Sequence, residues 1–159
     1  VRKTARDMVA TTSVLFLGRH VGFPVALEGA LKLKEVAYIH AEGFAAGELK
    51  HGPIALIEEG QAVFVVVPSP RGRDSLHSKV ISNIQEIRAR GARTLVIAED
   101  GDVDVLPYAD VVFYVPQCPT LLSPLLATVP LQIFACELAT SRGLDVDQPR
   151  NLAKSVTVE

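Results

Sequence analysis

Three charged side chains fall on one stripe of a segment that is otherwise apolar. Glu28, Lys32 and Glu35 are spaced i, i+4, i+7, which places them within an arc of about 60° on an α-helix. Most other positions between residues 25 and 39 are apolar, and a helix that is apolar all round is usually buried. Charges on a buried helix cost free energy unless they are paired or used. The pattern therefore predicts ionisable groups at low dielectric.

These charges allow a structural and a functional interpretation, and spacing alone leaves both open. Lys32 can pair with Glu28 at i+4 and with Glu35 at i+3, which is a common surface arrangement on helices. In the functional interpretation, a partly desolvated glutamate beside an ammonium group removes a proton from carbon next to a carbonyl group.

Two further side chains carry possible chemistry. His51 precedes a Gly-Pro break, where a histidine can act as a general acid or base near neutral pH or simply bond to the loop backbone. Lys154 has apolar neighbours, and a lysine against apolar surface can attack a carbonyl as the free amine. The alternative is an exposed lysine on a tail. His20 and His77 are predicted to be surface or loop residues.

Metal, dinucleotide and nucleotide chemistry is not expected. His40, Glu42, Glu48 and His51 include H-x-E and E-x-x-H spacings, but a metal site requires three or four convergent ligands. The sequence contains neither G-x-G-x-x-G nor G-x-x-x-x-G-K-[ST] after a predicted strand, which argues against those phosphate cradles. We therefore expect no metal and no cofactor.

A parallel sheet is predicted to position these residues. Continuous apolar runs of strand length, rich in β-branched residues, are typical of strands buried on both faces. They occupy residues 13–18, 62–67, 93–98 and 111–115. Ligands of such sheets bind beyond the carboxyl ends of the strands, so the turns after the first two runs are candidate walls of a site.

Helices alternate with these strands. They are predicted from Pro24 through the charged stripe to about residue 39, at 45–50, over 74–90 and over 123–142. We expect Ser123 to cap the last of them, with Pro124 in its first turn and Gly143 after its end. The alternation predicts an α/β fold, a three-layer sandwich around a parallel sheet of at least four strands.

Composition bounds the class of protein. The chain has 159 residues, of which 48% are hydrophobic and 21% charged, which fits one globular domain. A formal net charge of -2 without a basic block argues against nucleic acid or an anionic membrane as the main partner, and no membrane span is predicted. Cys118 and Cys136 are predicted to be buried, reduced thiols in a cytoplasmic protein. The opening VRKTARDMVATT, without a starting Met, is interpreted as part of a longer chain.

Two long segments, EGALKLKEVAYIHAEGFAAGELKHGPIALI and DVDQPRNLAKSVTVE, together resemble the glucosamine-6-phosphate synthase family, as do LFLGR, NIQEIRARG and VPLQIFA. Members, also called glutamine–fructose-6-phosphate aminotransferases, convert fructose 6-phosphate and glutamine to glucosamine 6-phosphate and glutamate. The resemblance covers nearly the whole chain and matches the second of two sugar isomerase (SIS) domains. It implies a flavodoxin-like α/β/α sandwich with five parallel strands. Residues 1–142 would form this domain, and 143–159 an ordered tail over the active site.

Residue by residue, the resemblance implies roles for five side chains. Glu35 matches the base that moves a proton from C1 to C2, and Lys154 matches the lysine that forms a Schiff base with the open-chain sugar. His51 matches a histidine that assists ring opening in the neighbouring subunit of a homodimer. Glu28 and Lys32 match a pair that lines the site and helps position substrate and ammonia. The tail residues expected to cover the substrate are Asn151, Leu152, Ala153 and Ser155.

The resemblance also implies missing parts. The family binds the sugar phosphate with a Ser/Thr-rich loop of the first SIS domain, whereas the turn here reads PSPRGRDS, and Arg71 and Arg73 are expected to be solvated. The first SIS domain and the glutaminase domain are the expected partners in the same chain, so this fragment alone is predicted to be inactive. The alternatives are a non-catalytic phosphosugar-binding SIS module and a related amino-sugar deglycase or isomerase. The ending DQPRNLAKSVTVE favours the synthase over both.

Overall fold

Five parallel strands form one sheet in the computed structural model, which describes residues 1–71 and 76–151. The strands are β1 Ser13–Gly18, β2 His40–Ala45, β3 Ala62–Val66, β4 Arg93–Glu99 and β5 Val111–Val115. Their spatial order is β2-β1-β3-β4-β5, and every neighbouring pair is parallel. This is the flavodoxin-like order of doubly wound sheets. It confirms the predicted α/β class and the five-stranded parallel sheet.

Within the described residues, four α-helices cover the two faces of the sheet. They are α1 Arg2–Asp7, α2 Gly22–Lys32, α3 Leu76–Arg88 and α4 Ser123–Ser141. Helices α1, α2 and α4 share one hydrophobic core with the sheet, whereas α3 closes a second core on the other face. Short 3-10 helices lie at Ala46–His51, Pro53–Leu56, Leu106–Tyr108 and Thr120–Leu122. The three layers are therefore the predicted sandwich.

Aromatic side chains hold the first core at its centre. Phe64 on β3 stacks on Phe16 of β1 with ring centroids 5.0 Å apart, and meets Phe134 of α4 edge-on at 4.8 Å. All three side chains are essentially buried. Such pairs add about 0.5–1.5 kcal/mol beyond the area they bury, so α4 is fixed firmly on the sheet.

Strand β2 was not predicted from the residues and entered only through the five strands that the resemblance implies. It lies at the edge of the sheet, pairs with β1 alone and includes Gly43. Half-exposed edge strands lack the continuous apolar run that marks central strands. The residues alone therefore predicted no strand between the helices expected up to about residue 39 and at 45–50.

The helix that carries the charged stripe is shorter and less buried than predicted. Helix α2 ends at Lys32, and a π-helical turn follows over Leu33–Ala37. Leu27 and Leu31 on its outer face are 44% and 41% exposed, so the prediction of a helix buried all round is wrong. Only the face with Val25, Ala26, Gly29 and Ala30 is buried.

Helix α4 spans nearly the predicted residues, but two predictions about it are wrong. Ser123 lies inside the helix, where its Oγ donates to the carbonyl of Thr120 at 2.8 Å, so it is not the N-cap. Both cysteines are free, as predicted, but Cys136 is exposed on α4 and Cys118 is only half-buried. Cys136 looked buried in the sequence because the exposed outer face of α4 is itself apolar, with Leu125, Val129 and Ile133.

By length and composition alone, Thr120–Ser141 could cross a membrane. The core helix of a globular protein passes the same test. Leu131, Phe134 and Leu138 pack in the first core, which supports that simpler explanation.

Arg142 joins the end of α4 to the loop between α1 and β1 and to the π-helical turn. Its guanidinium donates to the carbonyls of Val9 at 2.9 Å, Thr11 at 2.6 Å and Ala37 at 3.0 Å. The carbonyl of Ala37 belongs to the last residue of the π-helical turn. Arg142 therefore fixes this turn against the rest of the domain.

We expect Arg142→Ala to lower the free energy of unfolding by about 3–5 kcal/mol, because three carbonyls lose a charged donor together. Denaturant titration measures the loss. The matched control is Arg90→Ala, which removes one exposed bond to the carbonyl of Glu86 and should cost less than about 1 kcal/mol. Equal losses in the two variants would contradict the assignment of Arg142 as the clamp.

Candidate active site

The π-helical turn places Glu35 at the amino end of β2. The turn ends at Tyr38, which has a left-handed φ of 55°, and the N–H of Ile39 donates back to the carbonyl of Leu33 at 3.3 Å. Turns of this kind are rare and frequently occur at functional sites. An ordinary α-helix through these residues would direct Glu35 differently, so the turn is part of what orients its carboxylate.

The charged stripe forms a compact cluster around the ammonium group of Lys32. Its Nζ lies 2.5 Å from Oε2 of Glu35 and 3.7 Å from Oε1 of Glu28. The three side chains are 28–35% exposed, so they are half-buried rather than fully desolvated. The pairing with both glutamates is the one that the spacing predicted.

The cluster also determines the charge state of Lys32. The hydrogen bond to Glu35, together with the charges of Glu35 and Glu28, outweighs partial burial and raises the pKa of Lys32 above its ordinary value. Lys32 therefore stays an ammonium at neutral pH. It can donate a hydrogen bond and balance a carboxylate, but it is unsuited to attack a carbonyl as a free amine.

Glu35 opens onto a crevice of about 510 Å³, which is within the usual range for small-ligand sites. Two parts of the chain that are far apart in sequence form its walls: Lys34, Glu35, Tyr38, Ile39 and His40 on one side, and Arg150 and Asn151 on the other. The crevice thus joins the turn before β2 to the segment that follows α4.

Tyr38 holds the second wall in place. Its hydroxyl accepts the N–H of Arg150 at 2.7 Å, and the Arg150 guanidinium lies 4.2 Å from the centroid of its ring. Stacking of this kind adds about 0.5–1 kcal/mol at exposed sites. Sequence reasoning singled out neither residue, although both lie in the segments that carry the family resemblance.

The structure brings some of the predicted residues together and separates one of them. Glu35 and Asn151 line the same crevice, and Lys32 and Glu28 adjoin it through Glu35. His51 is exposed beyond the carboxyl end of β2, whereas Glu35 precedes that strand, so roughly 16 Å of strand separates their positions. Leu152, Ala153, Lys154 and Ser155 lie outside the described residues.

The turns after β1 and β3, which are the first two apolar runs of the sequence, were predicted to be walls of a site. They do not line the crevice of Glu35. Ser69 and Arg71 line a separate crevice, at the carboxyl ends of β3, β4 and β5. Arg71 is 54% exposed on its loop, as predicted, and it also pairs with Glu99, which is 8% exposed. Arg73 lies outside the described residues.

His77 was predicted to lie at the surface, and this is wrong. It is buried in the first turn of α3, and its Nε2 lies 2.8 Å from Oδ2 of the buried Asp102. Within residues 1–71 and 76–151, His77, Asp102 and Asp104 are the one group of His and carboxylate ligands close enough to hold a metal ion. The direct bond between His77 and Asp102 satisfies both buried groups without one. Sequence reasoning had no signal for this pair, because its members are 25 residues apart.

Comparison with protein families gives one clear match. The model described as "SIS domain" matches residues 8–142. The glutamine–fructose-6-phosphate aminotransferase [isomerizing] of Corynebacterium glutamicum is 76% identical over all 159 residues, which cover 26% of that protein. The protein of that name from Mycobacterium tuberculosis is 66% identical over the same length, again 26% of the protein. The chain therefore spans about a quarter of the length of these curated relatives.

Two solved structures of similar proteins share the fold of this chain. The C-terminal domain of glucosamine-fructose-6-phosphate aminotransferase from Francisella tularensis superposes with a TM-score of 0.82 at 36% identity, over 92% of this chain and 40% of that one. The glucosamine-6-phosphate deaminase of Thermotoga maritima gives a TM-score of 0.65 at 28% identity, over 95% of this chain and 44% of that one.

Proposed function

The chain belongs to the SIS domain family, and from that premise we propose that it is the isomerase part of a glutamine–fructose-6-phosphate aminotransferase. In this proposal the whole protein converts fructose 6-phosphate and glutamine to glucosamine 6-phosphate and glutamate. A first SIS domain and a glutaminase domain are its partners in the same chain. The protein acts as a cytoplasmic homodimer.

The observation that carries the proposal is the position of Glu35. Its carboxylate lies 2.5 Å from an ammonium group and lines a crevice of about 510 Å³. A general base needs a fixed position beside an open site of substrate size. We assign to Glu35 the transfer of the proton from C1 to C2 of the sugar, and to Glu28 and Lys32 the positioning of its carboxylate, of substrate and of ammonia.

Lys154 supplies the nucleophile in this proposal. Asn151 lines the crevice of Glu35, and three further residues of chain span at most about 10 Å. That length of chain would allow the amine of Lys154 to reach a sugar bound at Glu35, and in this proposal Asn151, Leu152, Ala153 and Ser155 cover that sugar as part of the tail 143–159. Because Lys32 is held as an ammonium, the roles of the two lysines do not overlap.

His51 is assigned to a neighbouring subunit. It is exposed and lies a strand's length from Glu35 along β2, so it does not serve the crevice of its own chain. An exposed histidine can enter the site of a second copy and assist ring opening there. This assignment requires the proposed homodimer.

A deaminase or deglycase is the nearest alternative. The identity of 66–77% over the full chain to aminotransferases, against 28% to the deaminase structure, favours the aminotransferase. A non-catalytic sugar-binding module would have no need of the Glu28, Lys32 and Glu35 cluster.

An assay of the full-length protein separates these functions. We expect glucosamine 6-phosphate to form from fructose 6-phosphate only when glutamine is added, with one glutamate released per amino sugar. Coupled detection of both products is the measurement. Ammonia release from glucosamine 6-phosphate without glutamate formation would instead identify a deaminase, and binding without turnover a sugar-binding module.

A further inference from the structure

A second crevice lies at the carboxyl ends of the strands, whereas Glu35 lies near the amino end of β2. It has a volume of about 380 Å³ and is formed where β3, β4 and β5 end, by Ser69, Arg71, Glu99, Gln117, Cys118 and Thr120. Ligands of open parallel sheets bind beyond the carboxyl ends of the strands. The crevice therefore lies at the end of the sheet where such ligands bind, and the proposed chemistry at Glu35 does not use it.

The wall of this crevice contains a buried carboxylate. Glu99 is the last residue of β4 and is 8% exposed, and its partner is the guanidinium of Arg71. Arg71 is itself 54% exposed on the loop after β3, where its N–H donates to Oγ of Ser69 at 3.2 Å. The carboxylate of the pair is thus buried, whereas the guanidinium faces solvent.

This asymmetry selects the charge of a ligand. A lone anion would draw Arg71 away and leave Glu99 as a buried carboxylate without a counter-charge, which is strongly unfavourable. A ligand with both an ammonium and an anionic group can separate Arg71 from Glu99 without leaving Glu99 unpaired. Its ammonium takes the place of Arg71 at Glu99, and Arg71 turns to the anionic group.

We propose that this crevice binds a small zwitterion, with its ammonium group on Glu99 and its anionic group on Arg71. Ser69, Gln117 and Thr120 also line the crevice and provide hydrogen-bonding groups for hydroxyls. The site therefore fits a hexosamine phosphate, a choice that rests on the proposed function, in which glucosamine 6-phosphate is the product. Such a site would let the product regulate the enzyme that makes it.

Glucosamine 6-phosphate and glucose 6-phosphate form a matched pair of probes, since they differ only in an ammonium or a hydroxyl at C2. Calorimetric titration of the 159-residue chain should show tenfold to a hundredfold tighter binding of the amino sugar, as expected for one charge-assisted hydrogen bond. Glu99→Gln keeps the shape of the side chain and should remove this preference. L-glutamine, a smaller zwitterion, is the second arm, and tighter binding of it than of the amino sugar would overturn the choice of a hexosamine phosphate.

Glu35→Gln localises the binding. The proposed function also places the amino sugar at the crevice of Glu35, so a preference that arises there is the competing outcome, and this variant detects it. Equal binding of the two sugars by the unaltered chain, or a preference that survives Glu99→Gln and disappears in Glu35→Gln, would overturn the second site. Thermal unfolding of each variant without ligand establishes that it is folded.

Discussion

Replacing Glu35 with Gln in the full-length protein should lower the rate of glucosamine 6-phosphate formation by about two to four orders of magnitude, the usual contribution of a general acid or base. Gln has nearly the same shape and can still accept a hydrogen bond from Lys32, which lies 2.5 Å from Glu35. It cannot take up the proton that leaves C1. The loss should therefore appear in turnover rather than in stability, and quantification of the amino sugar measures it.

Glutamine hydrolysis provides an internal control, because it takes place in another domain in the proposed enzyme and should persist in the variant. Glu42→Gln is the matched control within this chain, since Glu42 is exposed on the edge strand and does not line the crevice. It should leave product formation unchanged. A normal rate in Glu35→Gln would exclude Glu35 as the base.

The sheet could be predicted because its central strands carry their own signal. β3 is buried at every position and β4 at all but the first, so each reads as a continuous apolar run whatever lies beside it. The edge strand β2 has no such run, because it pairs with β1 alone and most of its residues are partly or fully exposed. Burial of α2 was overestimated because its apolar outer face, with Leu27 and Leu31, gives the same pattern as a buried one.

The ion pairs of the charged stripe could be predicted, whereas the crevice could not. The Glu28, Lys32 and Glu35 contacts depend on spacing within one helix, and the structure has them as expected. The crevice depends on a π-helical turn and on bonds that join Tyr38 to Arg150 and Arg142 to Ala37, across 112 and 105 residues. No local pattern encodes contacts at such separations, so only the family resemblance pointed to the two ends of the chain as one site.

Reduction with borohydride in the presence of fructose 6-phosphate should attach the sugar covalently to Lys154 and inactivate the full-length enzyme. In the proposed reaction the neutral amine of Lys154 condenses with the C2 ketone of the open-chain sugar and releases water. Borohydride reduces the resulting C=N bond to a stable secondary amine. Peptide mapping by mass spectrometry should find the added mass on the peptide that contains Lys154.

Lys154→Arg tests the same step without a trapping reagent. Arginine keeps the positive charge but has no amine that forms a Schiff base, so labelling should disappear and product formation should fall to background. Lys50→Arg is the matched control: Lys50 is exposed, and its Nζ lies 2.8 Å from Oε1 of Glu86 on α3, far in sequence from the tail. Labelling of Lys32 instead of Lys154 would contradict both the assignment and the raised pKa that keeps Lys32 protonated, because a protonated amine does not attack a ketone.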